Sequence, residues 1–203
     1  MLEATKITGL AISTIILGLS PGPAVFATIG RSFALGLRPA YLFILGITLG
    51  DLLFSSLAML GLAALAATYT PLFLALKIIG GGYLIFLGFQ SWRDSGKSDL
   101  KLSFHEKGWS LIASGFLLTA SNPKDLLFFV GFLPLFVDLK HPDGKEIILA
   151  SCVIVAAFLT TLSFYAVLAS HARKWFESSA AIRRLHQVAG VLMTIAGIAV
   201  IVT

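Results

Sequence analysis

Six long apolar runs limit what this 203-residue chain can fold into. A helix needs about 20 mostly apolar residues to cross about 30 Å of hydrocarbon. The runs that match or approach this length are residues 7–29, 39–66, 71–91, 109–137, 147–170 and 187–202. They lack the alternating polarity and turn spacing of barrel strands. The sequence therefore predicts an all-α, polytopic membrane protein with six transmembrane helices.

The composition excludes an ordinary soluble domain. Charged residues make up 12% of the chain and hydrophobic residues 57%, whereas soluble domains carry about 25% charged residues. The single cysteine, Cys152, lies inside a predicted span, so one chain cannot hold a disulfide framework or a CxxC site. The histidines form no pair at metal-ligand spacing. We therefore expect one transmembrane domain over residues 1–203, without a metal or a cofactor.

Lys and Arg are distributed unevenly between the two sides of the predicted bundle. Ten of them follow the first, third and fifth spans, against three on the opposite side. The ten are Arg31, Arg38, Arg93, Lys97, Lys101, Lys107, Arg173, Lys174, Arg183 and Arg184, and the three are Lys6, Lys140 and Lys145. Because cytoplasmic loops are enriched in Lys and Arg, both termini are expected outside. The net charge of +5 then reflects topology, and no nucleic-acid surface is expected.

Polar segments that contain proline interrupt the first and fourth spans. They read Leu19-Ser20-Pro21-Gly22-Pro23 and Ser121-Asn122-Pro123-Lys124-Asp125. Ser121 follows Ser20 by 101 residues, and Gly131 follows Gly30 by the same interval, which is half of the chain. The interval indicates a duplication of three spans, and an odd number of spans places the second copy upside down. The chain is thus expected to consist of two repeats, inverted relative to each other and joined by a cytoplasmic loop. Repeat one covers about 1–92, the loop about 93–108 and repeat two about 109–203.

The two interruptions have the chemistry of a transport site. Proline removes an amide donor and obstructs the carbonyl four residues earlier, so Pro21, Pro23 and Pro123 are expected to open the helices inside the membrane. The freed half-helix ends carry partial charges suited to a carboxylate or an ammonium group. Paired breaks in inverted halves indicate a binding site near the membrane midplane. A packing kink is the alternative reading of each proline alone.

Charged residues inside the predicted spans are the next candidates, since each costs about 2.5–3.5 kcal/mol at a helix centre. Asp51 lies about 18 Å beyond Pro39 along the helix and cannot easily reach an interface. Lys124 and Asp125 are adjacent and point in different directions on a helix. We therefore expect Asp51 to pair with Lys124; a structural, hydrogen-bonded acid is the alternative for Asp51. For Lys77 two interpretations have equal weight: it belongs to the transport site, or its long side chain reaches the lipid headgroups.

Small and polar residues mark particular helix faces. Thr48 and Ser55 share the face of Asp51, at spacings of three and four residues. Small residues at spacings of four, and a run of three glycines, predict close helix packing. They are Gly18 with Gly22, Gly46 with Gly50, and Gly80 to Gly82.

Four segments together carry a resemblance to a known family. They are Leu19 to Pro23, residues 46–53 with Asp51, the Gly80-Gly81-Gly82-Tyr83-Leu84 run to Gly88, and Ser121 to Lys124. The chain resembles the lysine-exporter (LysE) family over essentially its whole length, and most closely its homoserine/threonine-resistance (RhtB) branch. The resemblance implies a small bacterial inner-membrane exporter of amino acids or related metabolites, driven by the proton motive force, with a homodimer as an expected assembly. The family's motif positions correspond here to Pro21, Gly22, Pro23, Asp51, Asn122, Pro123 and Lys124.

The expected mechanism joins the residue pattern with this resemblance. A secondary transporter would exchange its substrate for protons by alternating access, rocking one repeat against the other. The broken helices would hold an amino acid, with a half-helix N-terminus or Lys124 facing its carboxylate and Asp51 facing its ammonium. Asp51 is also the expected proton carrier. Ser20, Ser121 and Asp125 complete the predicted site.

Three other functions remain open on the sequence. A passive channel needs neither inverted broken helices nor a proton gradient. A heavy-metal exporter requires Cys or His inside the membrane, for which Cys152 is thin support. A membrane enzyme or scaffold is the third class, but the chain has no Ser/His/Asp set, HExxH motif or phosphate-binding loop. The sequence therefore predicts no enzyme, and it specifies neither the transported metabolite nor the coupling ion.

Overall fold

The computed structural model describes most of the chain as helices. The described residues are 4–20, 22–60, 108–137, 143–174 and 179–202, together with 78–79, 81–82, 84–86, 88–89 and 92–93. The labelled helices are α1 (Ala4–Leu19), α2 (Pro23–Leu35), α3 (Leu37–Met59), α4 (Gly108–Ser121), α5 (Pro123–Gly131), α6 (Gly144–Lys174) and α7 (Ser179–Val202). A 3-10 turn at Leu133–Leu135 follows α5, and the residues described between 78 and 93 are helical. No strand occurs among these residues, so the predicted all-α class is confirmed for them.

Proline residues divide the first and fourth predicted spans. α1 ends at Leu19 and α2 begins at Pro23, with the two helix axes 58° apart. α4 ends at Ser121 and α5 begins at Pro123. In both cases proline takes the first helical position, where its missing N–H is not needed and its fixed φ suits the helix. The interruptions therefore lie where the sequence predicts them.

Two of the described helices are long and apolar enough to cross a membrane, α3 and the Gly144–Ala172 part of α6. The bent pair α1 and α2 makes a third candidate if it is one span, and α4 is a shorter apolar helix. Large apolar side chains on α3 and α6 remain exposed, among them Leu45, Leu49, Phe164 and Leu168. Hydrocarbon, and not water, is the solvent that suits such faces. Most of the predicted third span, with Lys77, lies outside the described residues.

Helix α3 packs on α2, α4 and α6. Its contact with α4 is close because glycines on both helices let the backbones approach. A Cβ at Gly46 would collide with the carbonyl oxygen of Ile112, and a Cβ at Gly115 with that of Phe43. The predicted packing role of Gly46 is confirmed. A Cβ at Gly50 would likewise press on a side chain of α4.

We expect Gly115→Ala to destabilise the protein. The added methyl group meets the backbone of α3, which cannot move aside as a flexible side chain can, and overpacking costs about 1–3 kcal/mol. The matched control is Gly82→Ala, because no atom of the described residues lies within 4 Å of a Cβ at that helical position. Thermal unfolding in detergent should show a lower midpoint than the wild type for Gly115→Ala and an unchanged midpoint for the control. Equal midpoints for both variants would contradict the close contact of α3 and α4.

Glycines also join α7 to the helical residues described between 78 and 93. A Cβ at Gly81 would collide with the carbonyl oxygen of Gly197, and a Cβ at Gly197 with that of Gly81. Gly88 and Gly190 form a second reciprocal contact of this kind. Gly81 thus contacts Gly197, and Gly88 contacts Gly190. Because the residue numbers rise on one helix as they fall on the other, the two helices run antiparallel.

Arg31 differs from the prediction that it lies in a cytoplasmic loop. It lies inside α2, is 2% exposed, donates from Nη2 to Ser114 Oγ at 3.0 Å, and has its guanidinium 4.8 Å from the ring centroid of Phe43. The helix continues past Arg31 because the first residue that favours a chain reversal is Gly36, at φ 89°. Arg31 therefore joins α2 to α3 and α4, and it does not count as a loop cation in the charge asymmetry.

Candidate functional site

Proline removes the usual helical donors of two carbonyl groups at the first break, although the amide of Ser20 still donates to Leu17 O at 3.2 Å. In a continuous helix the amide of residue 21 would donate to Leu17, and that of residue 23 to Leu19. Both positions are proline, which has no N–H. The structure supplies side-chain donors from the second half of the chain: Lys124 Nζ lies 2.8 Å from Leu17 O, and Tyr165 Oη lies 2.8 Å from Leu19 O. The break in α1 and α2 is thus satisfied by α5 and α6.

Lys124 makes a second bond at the same break. Its ammonium also donates to the carbonyl oxygen of Ser20, at 2.7 Å. A lysine ammonium has three donors, and two of them are now assigned to backbone oxygens at the end of α1. Its side chain also passes close to Gly22, where a Cβ would lie 3.5 Å from Nζ. Lys124 therefore links the second polar break directly to the first.

The second break is organised by Asn122. Its side-chain oxygen accepts from the amide of Lys124 at 3.2 Å and caps α5. Its side-chain amide donates to Asp125 Oδ2, and its backbone amide donates to Thr119 O at 3.0 Å. Pro123 has no N–H to donate to Thr119 O, four residues earlier, so the Asn122 amide replaces the missing donor. Asn122 thus holds Asp125 in the first turn of α5, where a carboxylate is favoured by the helix dipole.

A small cavity lies between the two breaks. Its volume is about 10 Å³, room for about one water molecule. The lining combines the end of α1, the start of α2, the start of α5 and one side of α6. The lining residues are Leu17, Gly18, Ser20, Gly22, Ala24, Val25, Asn122, Lys124, Asp125, Phe158 and Leu162. In this conformation the cavity is too small for an amino acid, so any such ligand requires the helices to move.

The start of α2 gives one side of the cavity a positive character. Gly22 precedes the first turn, and no side chain caps it. Ala24 and Val25 belong to that turn and line the cavity. The first N–H groups of a helix have no partner within the helix and carry partial positive charge. The cavity lining therefore includes amide donors from the start of α2 and carbonyl acceptors from the end of α1.

Asp51 is buried beside this arrangement without lining the cavity. It is 0% exposed on α3, and neither carboxylate oxygen has a hydrogen-bond partner in the described part of the chain. Asp125 is close enough for the charges of the two carboxyl groups to interact. The neighbouring hydroxyls are directed elsewhere, since Thr48 donates to Ile44 O and Leu45 O at 3.1 and 3.0 Å. Ser55 likewise donates to a carbonyl of its own helix.

The predicted pair of Asp51 and Lys124 is not formed in this structure, and this expectation needs correction. Lys124 is held by Leu17 O and Ser20 O, while Asp51 has no hydrogen-bond partner among the described residues. The physical reason is the proline break, which leaves strong backbone acceptors inside the bundle. An ammonium group satisfies them without desolvating a second charge.

The other predicted site residues that the structure describes fall into three groups. Those that line the cavity are Ser20, Gly22, Asn122, Lys124 and Asp125. Pro23 and Pro123 begin the helices that follow each break. Ser121 is buried and donates to Leu117 O of its own helix. Pro21 lies outside the described residues.

Tyr165 is a site residue that the sequence analysis missed. It lies on α6 and contacts the first break through the hydrogen bond to Leu19 O. A single tyrosine on a long apolar helix gives no signal of its own. The prolines did contain the signal, because each proline removes the usual donor of the carbonyl four residues earlier, which identifies Leu17 and Leu19 as candidate acceptors for other side chains.

Comparison with known proteins gives a consistent family. The family model described as LysE type translocator matches residues 15–203. The homoserine/homoserine lactone efflux protein of Salmonella typhimurium is 27% identical over 92% of this chain and 91% of its own length. An uncharacterized membrane protein of Synechocystis sp. is 30% identical over 98% of this chain and 97% of its own. No solved structure matches the chain. The chain belongs to the LysE type translocator family.

Proposed function

We propose that this protein is a secondary transporter that exports amino acids or related small metabolites in exchange for protons. The observation that carries the proposal is the meeting of two proline breaks at one cavity, with Lys124 of the second break bound to the carbonyls of the first. Broken helices that face each other are typical of substrate sites in secondary transporters. Membership of a translocator family supports the same class.

The proposed architecture is six transmembrane helices in two inverted repeats of three. The interval of 101 residues between Ser20 and Ser121 supports it, as does the matching division of α1 from α2 and α4 from α5. The contact of the helical residues between 78 and 93 with α7 would join the third span to the sixth. In the proposed alternating-access cycle, rocking of the repeats opens the cavity to each side in turn.

Substrate recognition is proposed to use the opposite polarity of the two cavity walls. The S. typhimurium relative is named for homoserine and homoserine lactone; both compounds carry a primary amino group, and the lactone lacks a free carboxylate. A primary ammonium is therefore the group common to both. We place it on the acceptor side of the cavity, which carries the carbonyls at the end of α1 and Asp125, and we place the carboxylate or ester oxygen at the uncapped N-terminus of α2.

Proton coupling is assigned to Asp51. It is fully buried, its oxygens have no hydrogen-bond partner among the described residues, and Asp125 is close enough to interact with it. A carboxyl group inside a membrane protein marks a proton or ion pathway by default. In the proposed cycle, proton binding at Asp51 and substrate ammonium binding beside it exclude one another, which makes the transport an exchange.

Orientation and assembly are parts of the same proposal. With Arg31 removed from the loops, nine Lys and Arg residues of the original ten still lie on the side assigned to the cytoplasm, against three on the other. The bias supports outside termini in the bacterial inner membrane. A homodimer is proposed from the family resemblance.

Counterflow in proteoliposomes tests the proposed function. Vesicles loaded with unlabelled homoserine should take up labelled homoserine transiently to a higher concentration inside than outside. A carrier exchanges one molecule for another, whereas a passive channel gives no such overshoot. Unlabelled threonine, leucine, lysine and homoserine lactone, added outside, then rank the substrates by competition. Absence of counterflow for every compound, with correctly folded protein, would contradict the proposal.

A further inference from the structure

The end of α1 forms an acceptor site for a primary ammonium group. Leu17 O lacks the donor from residue 21, which is proline, and accepts only a longer bond of 3.2 Å from the Ser20 amide; Ser20 O lies beside it. The two oxygens receive one ammonium, that of Lys124, at 2.8 and 2.7 Å. These are the short distances of charge-assisted hydrogen bonds. The structure therefore shows directly what chemical group the break accepts.

We infer that these two carbonyl oxygens bind the ammonium group of the transported substrate, and that Lys124 occupies their site whenever substrate is absent. The inference rests on the proposed function and adds to it a specific site and an internal competitor. A substrate ammonium and the lysine ammonium are the same chemical group, with three N–H donors each. Either one can take the donor position that Pro21 leaves vacant at Leu17 O, together with the adjacent position at Ser20 O.

The size of the site makes the two occupants exclusive. The cavity holds about one water molecule, and Lys124 is among its lining residues. Two ammonium groups at the same oxygens would also repel one another. A substrate must therefore displace Lys124 from these oxygens. When the substrate leaves, Lys124 returns, so the two carbonyls keep an ammonium donor inside the membrane.

Competition of this kind lowers the apparent affinity for substrate. Binding must break the hydrogen bonds of Lys124 before those of the substrate form, and the apparent dissociation constant rises accordingly. Replacing Lys124 with methionine keeps most of the side-chain length and removes the competing charge. Lys124→Met should therefore bind homoserine about tenfold more tightly than the wild type. The substrate no longer has to break the hydrogen bonds of the Lys124 ammonium, and about one charged hydrogen bond accounts for that factor. N-acetylhomoserine, which has no ammonium, should gain nothing.

Chemical rescue tests the ammonium site without any substrate. Lys124→Ala removes the three carbons and the nitrogen that n-propylammonium contains. Adding n-propylammonium should raise the thermal midpoint of this variant by about 2–4 °C. Tetramethylammonium, which has no N–H donor, should not raise it, and the wild type should respond to neither. A folded Lys124→Ala variant that n-propylammonium fails to stabilise would overturn the ammonium site.

Binding measurements then connect the site to the substrate. Labelled homoserine is titrated into purified wild type, Lys124→Met, and the matched control Lys145→Met, whose side chain is exposed at the start of α6. The inference requires tighter binding in Lys124→Met alone, and displacement of homoserine from Lys124→Ala by n-propylammonium. Equal affinity in all three proteins, or rescue without displacement, overturns the inference while the transport function stands. If no amino acid of the counterflow panel binds the wild type, the proposed function itself fails.

Discussion

Asp51→Asn is expected to abolish the proposed coupling of substrate accumulation to a proton gradient. Asparagine has nearly the same shape as aspartate but cannot bind and release a proton. One proton that crosses 100 mV supplies about 2.3 kcal/mol, which sustains a concentration ratio of about 50-fold. The variant should lose this ratio entirely. Substrate-for-substrate exchange should remain measurable, because exchange does not require net proton movement.

The experiment imposes a proton gradient on vesicles and compares the accumulation of labelled homoserine by the wild type, Asp51→Asn and a control variant. Asp143→Asn is the matched control, since Asp143 is exposed just before α6. Its side chain accepts a hydrogen bond from the backbone amide of Lys145. The control should accumulate substrate as the wild type does. Preserved proton-driven accumulation in Asp51→Asn would refute the assignment of Asp51 as the proton carrier.

Pro21→Ala is expected to stop transport without unfolding the protein. An alanine at position 21 restores an N–H that can donate to Leu17 O, in competition with Lys124. Proline is about 3 kcal/mol less favourable than alanine inside a helix. The substitution therefore favours a continuous helix through the first break. We expect transport to fall at least about tenfold, since an equilibrium shift of about 1.4 kcal/mol suffices for that factor.

Pro39→Ala is the control for this substitution. Pro39 lies in the first turn of α3, where its missing N–H has no helical acceptor to serve. Counterflow and thermal unfolding are measured on both variants. Pro21→Ala should lose counterflow and keep or raise its unfolding midpoint, while Pro39→Ala keeps both properties. Full activity in a stable Pro21→Ala variant would show that the break is a packing kink.

The location of both breaks could be predicted from the sequence because the physical cause is local. A proline lacks an amide hydrogen wherever it occurs, and Pro23 and Pro123 start their helices as that property requires. The packing glycine Gly46 was also predictable, since a four-residue spacing of small residues selects one helix face. These features depend on a few neighbouring residues and not on the rest of the fold.

The partner of Lys124 could not be predicted in the same way. The sequence places Asp51, Lys124 and Asp125 inside predicted spans, and charge pairing is the simplest expectation. The structure instead places the ammonium on Leu17 O and Ser20 O. Backbone carbonyls do not appear as special residues in a sequence, and their position relative to α5 follows from the packing of two distant segments. The rule for proline indicates which carbonyl needs a donor but not which side chain provides it.

Arg31 shows a second limit of sequence reading. An arginine near the end of an apolar run is most simply read as a loop cation, and the charge bias of the chain favours that reading. Its burial depends on Ser114 and Phe43, which belong to other helices. Such partners are set by tertiary packing. The helix boundary, in contrast, was accessible from Gly36, whose positive φ permits the turn before α3.

The most direct measurement of the central claim follows the pH inside proteoliposomes while substrate enters. The vesicles contain the pH-sensitive dye pyranine and start without a pH gradient, and labelled homoserine is added outside. Exchange of substrate for protons predicts that the lumen becomes alkaline at a rate proportional to homoserine uptake, and that Asp51→Asn shows no pH change. Homoserine uptake with an unchanged or acidified lumen in the wild type would contradict proton-coupled export.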